Sequence, residues 1–147
     1  MTDPRRRHAL HAGLALGTLL WLPRAQACEF VTGTLRVTHP WTRATAPGQH
    51  TAVLGMKFDE VTEADRLVLV QTPVASFAAI GGRGARPVVD LAIGAGEEMV
   101  LDESSTYIQL NGLKHALLPG RTYALVLGFE KSGLFNTTVS VDYERFR

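Results

Sequence analysis

The chain reads as an all-β protein, a two-sheet β-sandwich of about eight strands, and three observations carry that reading. Its apolar residues fall in short β-branched or aliphatic runs, the composition that suits a pleated, half-buried surface. Glycine and proline turn signals separate these runs, as short strands in a sandwich require. No stretch keeps a 3.6-residue apolar period for three turns, so no amphipathic helix is expected.

The elements follow in order. Residues 35–39 alternate Leu35, Val37 and His39 with Arg36 and Thr38, a period of two that sends one set inward. Strands are then expected at 53–58 (VLGMKF), 66–71 (RLVLVQ), 87–93 (PVVDLAI) and 98–101 (EMVL). The remaining runs are 107–110 (YIQL), 123–129 (YALVLGF) and 136–143 (NTTVSVDY). Turns are expected at 46–48 (APG), 81–84 (GGRG), 94–96 (GAG), 118–120 (LPG) and at Ser132-Gly133. Residues 28–34 read as a leader into the first strand and 144–147 as a polar end. Met56 and Met99 lie inside apolar runs, which makes them core residues.

Composition bounds the function. Of the 147 residues, 46% are apolar and 20% charged, the balance of a globular domain that can bury a core. The formal net charge of +1 hides an asymmetry. Arg5, Arg6, Arg7, Arg24 and one acid, Asp3, lie in the first 27 residues, which leaves 11 basic and 13 acidic groups beyond them. No basic stripe remains for nucleic acid, and no acidic tail stands out.

Residues 1–27 have the form of an export signal. Arg5 to Arg7 supply a charged start, 12–22 an apolar stretch, and Ala25-Gln-Ala27 a small-x-small cleavage site. The apolar stretch is shorter than the roughly 20 residues that span a bilayer. The three arginines suit a Sec signal or a twin-arginine signal. The chain therefore divides into an export signal at 1–27 and one exported β-sandwich domain at 28–147.

Cleavage after Ala27 leaves Cys28, the single cysteine, as the mature N-terminus. One cysteine makes no internal disulfide, so the core alone must hold the fold. Three readings stay open for it: a free thiol beside a cleavage site, a lipid attachment point that would bring the protein to a membrane, and an amine–thiolate chelate suited to a soft metal ion.

Catalytic signatures are absent. There is no Ser/His/Asp spacing, no nucleophile elbow, and no glycine-rich phosphate loop followed by a helix. The acid pairs Asp59-Glu60 and Asp102-Glu103 fall at turns, where solvated charge is the ordinary role. The chain is not expected to be an enzyme.

Several motifs in fixed order point further. They are HPWTRATAPG at 39–48, DRLV at 65–68 with TPV at 72–74, and GLK at 112–114 before LPG at 118–120. Together they resemble the PCuAC family of periplasmic copper chaperones over about 110 residues. The resemblance implies a cupredoxin-like (Ig-like) β-sandwich. It also implies a Cu(I) site made of a His at a strand end, a Met about ten residues on, and a later His-x-Met. Thioether sulfur and imidazole are soft, neutral ligands that suit Cu(I).

The positions that match those ligands carry none of them. The strand position for the first His falls at Ile80 or Gly81. The loop that should bear the Met is GGRGAR at 81–86, and the His-x-Met falls on Tyr107 and Gln109. A further, non-ligand Met of the family becomes Asn111. The resemblance so read implies copper handling or cuproenzyme assembly with the usual Cu(I) site lost, alongside a cuproenzyme or copper-transfer protein as partner. Copper then requires a non-family site, for which Cys28, His39 and His50 are the candidates, and the two histidines with the terminal amine would favour Cu(II). His115 reads as solvated. The alternative is a metal-free binding or scaffold module that uses Tyr107, Gln109 and Asn111 as hydrogen-bonding groups at a protein interface.

Overall fold

The computed structural model describes residues 29–142. Among them are ten strands and no helix: β1 (Glu29–Val31), β2 (Arg36–Arg43), β3 (Thr51–Asp59), β4 (Asp65–Gln71), β5 (Phe77–Gly82), β6 (Leu91–Ile93), β7 (Met99–Leu101), β8 (Thr106–Asn111), β9 (Thr122–Phe129) and β10 (Gly133–Asp142). The export signal, its cleavage site and Cys28 lie outside the described residues.

All ten strands join one curled, hydrogen-bonded path in the order β5-β8-β3-β2-β10-β9-β4-β6, with β1 on β2 and β7 on β3. The β2–β10 pair is parallel and the others are antiparallel. The two layers of the sandwich are therefore halves of a single sheet. Their inner faces meet in the core, where Phe58 of β3 touches Phe129 of β9 edge to face, with centroids 6.0 Å apart at 87°.

The all-β expectation stands, and so does the alternation that produced it. On β3, Ala52, Leu54, Met56 and Phe58 point inward and are buried. On β8, Ile108 and Leu110 do the same. Complete burial of each large apolar side chain contributes about 1.5–3 kcal/mol before the entropy of ordering is subtracted.

Three local details differ from the sequence reading. The expected leader contains β1, which pairs Phe30 with Val37. The expected strand at 87–93 shrinks to Leu91–Ile93. Pro87 has no N–H to give a ladder, and Arg86 is already bound through its main chain to Ile80, 3.0 Å in each direction. Strand β2 also carries a bulge: its pairing with β3 shifts register between Thr38 and Trp41. His39 occupies the bulge in the left-handed region at φ 49, and Pro40 beside it cannot donate to the ladder.

A buried carboxylate ties the far hairpin to the frame. Asp65 at the start of β4 accepts hydrogen bonds from the main-chain N–H of Lys131 (2.8 Å) and Ser132 (3.0 Å) and from the Ser132 hydroxyl (2.7 Å). Burial alone would push this carboxyl up. The bonds from Lys131, Ser132 and the Arg66 N–H outweigh burial and hold it below the ordinary carboxylate value.

Candidate functional site

The site begins with the outer face of three neighbouring strands. Since Ile108 and Leu110 point into the core, the alternate residues Tyr107, Gln109 and Asn111 of β8 stand on the outside, each partly buried. Strand β5 lies beside them in antiparallel register, with Gly81 opposite Tyr107, Ala79 opposite Gln109 and Phe77 opposite Asn111. On the other side, β3 pairs Val53 with Gln109 and Thr51 with Asn111.

This register brings together most of the positions singled out in the sequence. Ile80 does not join them: it points inward, is 4% exposed and belongs to the core. Gly81 is on the outer face with Tyr107 and Gln109. The Tyr107 ring covers Gly81 so closely that a Cβ placed there would lie 2.2 Å from Tyr107 Cε2. It also lies against Gly82, whose φ of +72 suits glycine. Two adjacent glycines thus make the bed for one aromatic ring.

The polar groups next to the ring satisfy one another. Gln109 Nε2 donates to Asn111 Oδ1 at 2.8 Å, and Asn111 Nδ2 donates to the Gln109 carbonyl at 3.1 Å. These positions offer a phenol, an amide and a bare backbone, with no thioether, thiolate or imidazole among them. That donor set does not suit Cu(I).

The histidines are elsewhere. His39 is exposed at the β2 bulge, with its Nε2 3.3 Å from Asp142 Oδ2. His50 is exposed just before β3, and its carbonyl accepts from Leu113 N–H at 3.1 Å. Thr38 pairs with Lys57, so the two histidines lie about six strand residues apart along β3, roughly 20 Å. They do not face each other, which removes the His39–His50 pairing considered from the sequence. The bulge keeps His39 at mid-sheet, whereas His50 sits at the end of the hairpin. His115 is exposed, with its ring 5.8 Å from that of Tyr123. Among the described residues, no three His, Cys, Asp or Glu side chains are grouped to hold a metal ion.

Sequence reasoning missed a second aromatic cover on the same face. The Trp41 ring lies over Gly55 of β3, where a Cβ would be 2.3 Å from Trp41 Cε2, and Trp41 is 4% exposed. The available signal was a glycine inside an otherwise apolar strand, which often marks a close approach. A second feature also went unread, a cleft of about 360 Å³ between β4 and β5 lined by Val70, Gln71, Ser76 and Phe77.

With this geometry established, comparison with known proteins gives a consistent picture. The family model of LpqE-like lipoproteins matches residues 35–141. Among solved structures, the apo PCuAC domain from PmoF1 is 26% identical with a TM-score of 0.70, and the match covers 78% of this chain and 98% of that one. The copper-bound PCuAC domain from PmoF2 is 20% identical with a TM-score of 0.71, covering 78% and 97%. The Cu(I) form of DR1885 from Deinococcus radiodurans is 22% identical with a TM-score of 0.64, covering 82% and 83%. No curated protein matches the chain. The resemblance to PCuAC domains and the cupredoxin-like fold that it implied are both borne out.

Proposed function

The chain belongs to the LpqE-like family of lipoproteins, and from that premise we propose an exported, non-enzymatic, copper-chaperone-like protein whose usual Cu(I) site has been given up. Its role is in periplasmic copper handling or cuproenzyme assembly, beside a cuproenzyme or copper-transfer protein. The copper context rests on the similarity to domains described as copper-bound and Cu(I)-loaded. The lipoprotein family supports export and gives weight to lipid attachment at Cys28.

The observation that carries the loss of the site is the Tyr107 ring seated on Gly81. A single missing ligand would leave a hole that water or another donor fills. Here the space beside the backbone is taken by an aromatic ring, and Gln109 is engaged with Asn111. Such packing supports a stable replacement of a metal site by a packed surface.

A Cu(I) titration of the processed protein against a competing chelator tests this, run beside the same titration of His39→Ala and His50→Ala. The expected result is copper binding no tighter than a surface histidine gives. A tight one-to-one site that perturbs Tyr107 fluorescence would overturn the loss of the family site. A tight site abolished by either histidine substitution would move copper to a non-family position. For the role itself, deletion of the gene is expected to lower copper loading of an exported cuproenzyme, and unchanged loading would sink it.

The second reading, a metal-free module for protein recognition, is favoured by one feature. Tyr107, Gln109 and Asn111 form a partly exposed row of amphipathic and polar groups on a rigid sheet, a composition suited to an interface.

A further inference from the structure

We propose that the slot between β4 and β5 is a docking site for an extended peptide with apolar side chains and acidic flanks, held as an added strand. This goes beyond the copper reading and does not depend on it.

The slot is a gap in an otherwise paired sheet. Strand β5 ends the hydrogen-bonded path, and β6 stops at the Leu67–Leu91 pair, so β4 beyond Leu67 has β9 on one side only. The main chain of Ile80 faces the slot, because there it meets Arg86 from the far side of β5. By the alternation of strand hydrogen bonding, the N–H and C=O of Ala78 face the same way. No described residue pairs with them across the slot. An unpaired edge of this kind is the template for strand addition.

Three exposed apolar side chains border the gap: Phe77 (59% exposed), Val88 (60%) and Val68 (44%). The β5 sequence FAAIGG has no charged residue to discourage pairing. The free length of β4, residues 68–71, corresponds to about 13 Å of extended chain, enough for four residues.

The charges select the occupant. Lys114 stands exposed at the turn end, its N–H bonded to the Val74 carbonyl at 3.0 Å. Arg83 and Arg86 stand exposed at the other end. Lys114 and Arg83 have no ion pair among the described residues, whereas Arg86 lies 3.9 Å from Asp90, an acid that Arg66 binds more closely at 2.5 Å. Cations at both ends attract an acidic segment and repel a second copy of the same slot.

The test is an amide NMR titration of the folded protein with the probe Ac-Glu-Val-Thr-Val-Glu-NH2, followed up to about 5 mM because lone short strands bind weakly. Expected are shifts confined to 68–71 and 77–80 and slower exchange of the Ala78 amide. Affinity should fall at least tenfold for Ac-Glu-Val-Pro-Val-Glu-NH2, whose proline lacks the ladder donor. A similar fall is expected for Phe77→Ser, an exposed position whose substitution leaves the core intact. The probe with lysines in place of its glutamates should bind several-fold more weakly. Shifts centred on Tyr107 and Gln109, equal binding of the proline peptide, or no shift at all would each overturn the proposal. Concentration-dependent shifts at the same amides without peptide would also overturn it, in favour of self-association.

Discussion

Two aromatic rings lie over glycines on one outer face, and they differ in consequence. Trp41 covers Gly55 in the middle of the sheet, between paired strands, and is 4% exposed. Tyr107 covers Gly81 beside the edge strand and keeps part of its surface in water. The same device, a ring packed on a bare backbone, adds to the buried interior in one place and covers the surface in the other. Position in the sheet therefore decides whether an aromatic–glycine pair is sealed from water or stays partly at the surface.

The sharpest break in this comparison is Trp41→Ala, expected to cost about 3–5 kcal/mol in denaturant unfolding, as large buried truncations do. Tyr107→Ala should cost less than half as much, and equal losses would erase the distinction. Next come the glycines themselves. Gly55→Ala forces a Cβ into a ring with nowhere to move and should cost about 1–3 kcal/mol. Gly81→Ala meets a ring that can swing outward and should cost about 1 kcal/mol. Thermal melts of the two variants order them directly, and a reversed order would show Tyr107 to be the more confined ring.

Function sharpens the same contrast. The triple substitution Gly81→His, Tyr107→His and Gln109→Met removes the covering ring and places soft ligands on one face, and a gain of Cu(I) affinity of at least a hundredfold over the parent is expected in chelator competition. No gain would mean that the outer face cannot gather a Cu(I) site in this register.

The smallest effect expected is one of pH and concerns the frame that both rings share. The Asp65 carboxyl is held below its ordinary value in the folded state. Its contribution is thus fully present above the unfolded value near 4 and is lost as pH falls through the lower folded value. Asp65→Asn should flatten part of the acid limb of stability below about pH 4. An unchanged limb would assign acid unfolding to other carboxylates, such as Asp59, which its hydrogen bond to Arg36 also holds low.

Much of the fold was legible because alternation and turn chemistry are local. Leu54, Met56 and Phe58 announced their inward face by spacing alone, and the LPG turn at 118–120 falls between β8 and β9 as expected. The apolar run at 87–93 misled because hydropathy does not register that Pro87 lacks a donor and that Arg86 is already held by Ile80. The site was legible only as a set of substitutions. The sequence left Ile80 and Gly81 as equal choices, while the pleat sends Ile80 into the core and leaves Gly81 under Tyr107.

By itself the sequence determined the strand class, the turns, the likeness to PCuAC domains and the lack of soft ligands at the matching positions. These follow from residue identity and from periods of two, which need no knowledge of distant neighbours. Tertiary structure alone decided that Gly81 meets Tyr107, that His39 and His50 stay apart, and that β4 and β5 leave a gap. Each of these depends on strand register and sheet curvature, which arise from pairing between segments far apart in the chain.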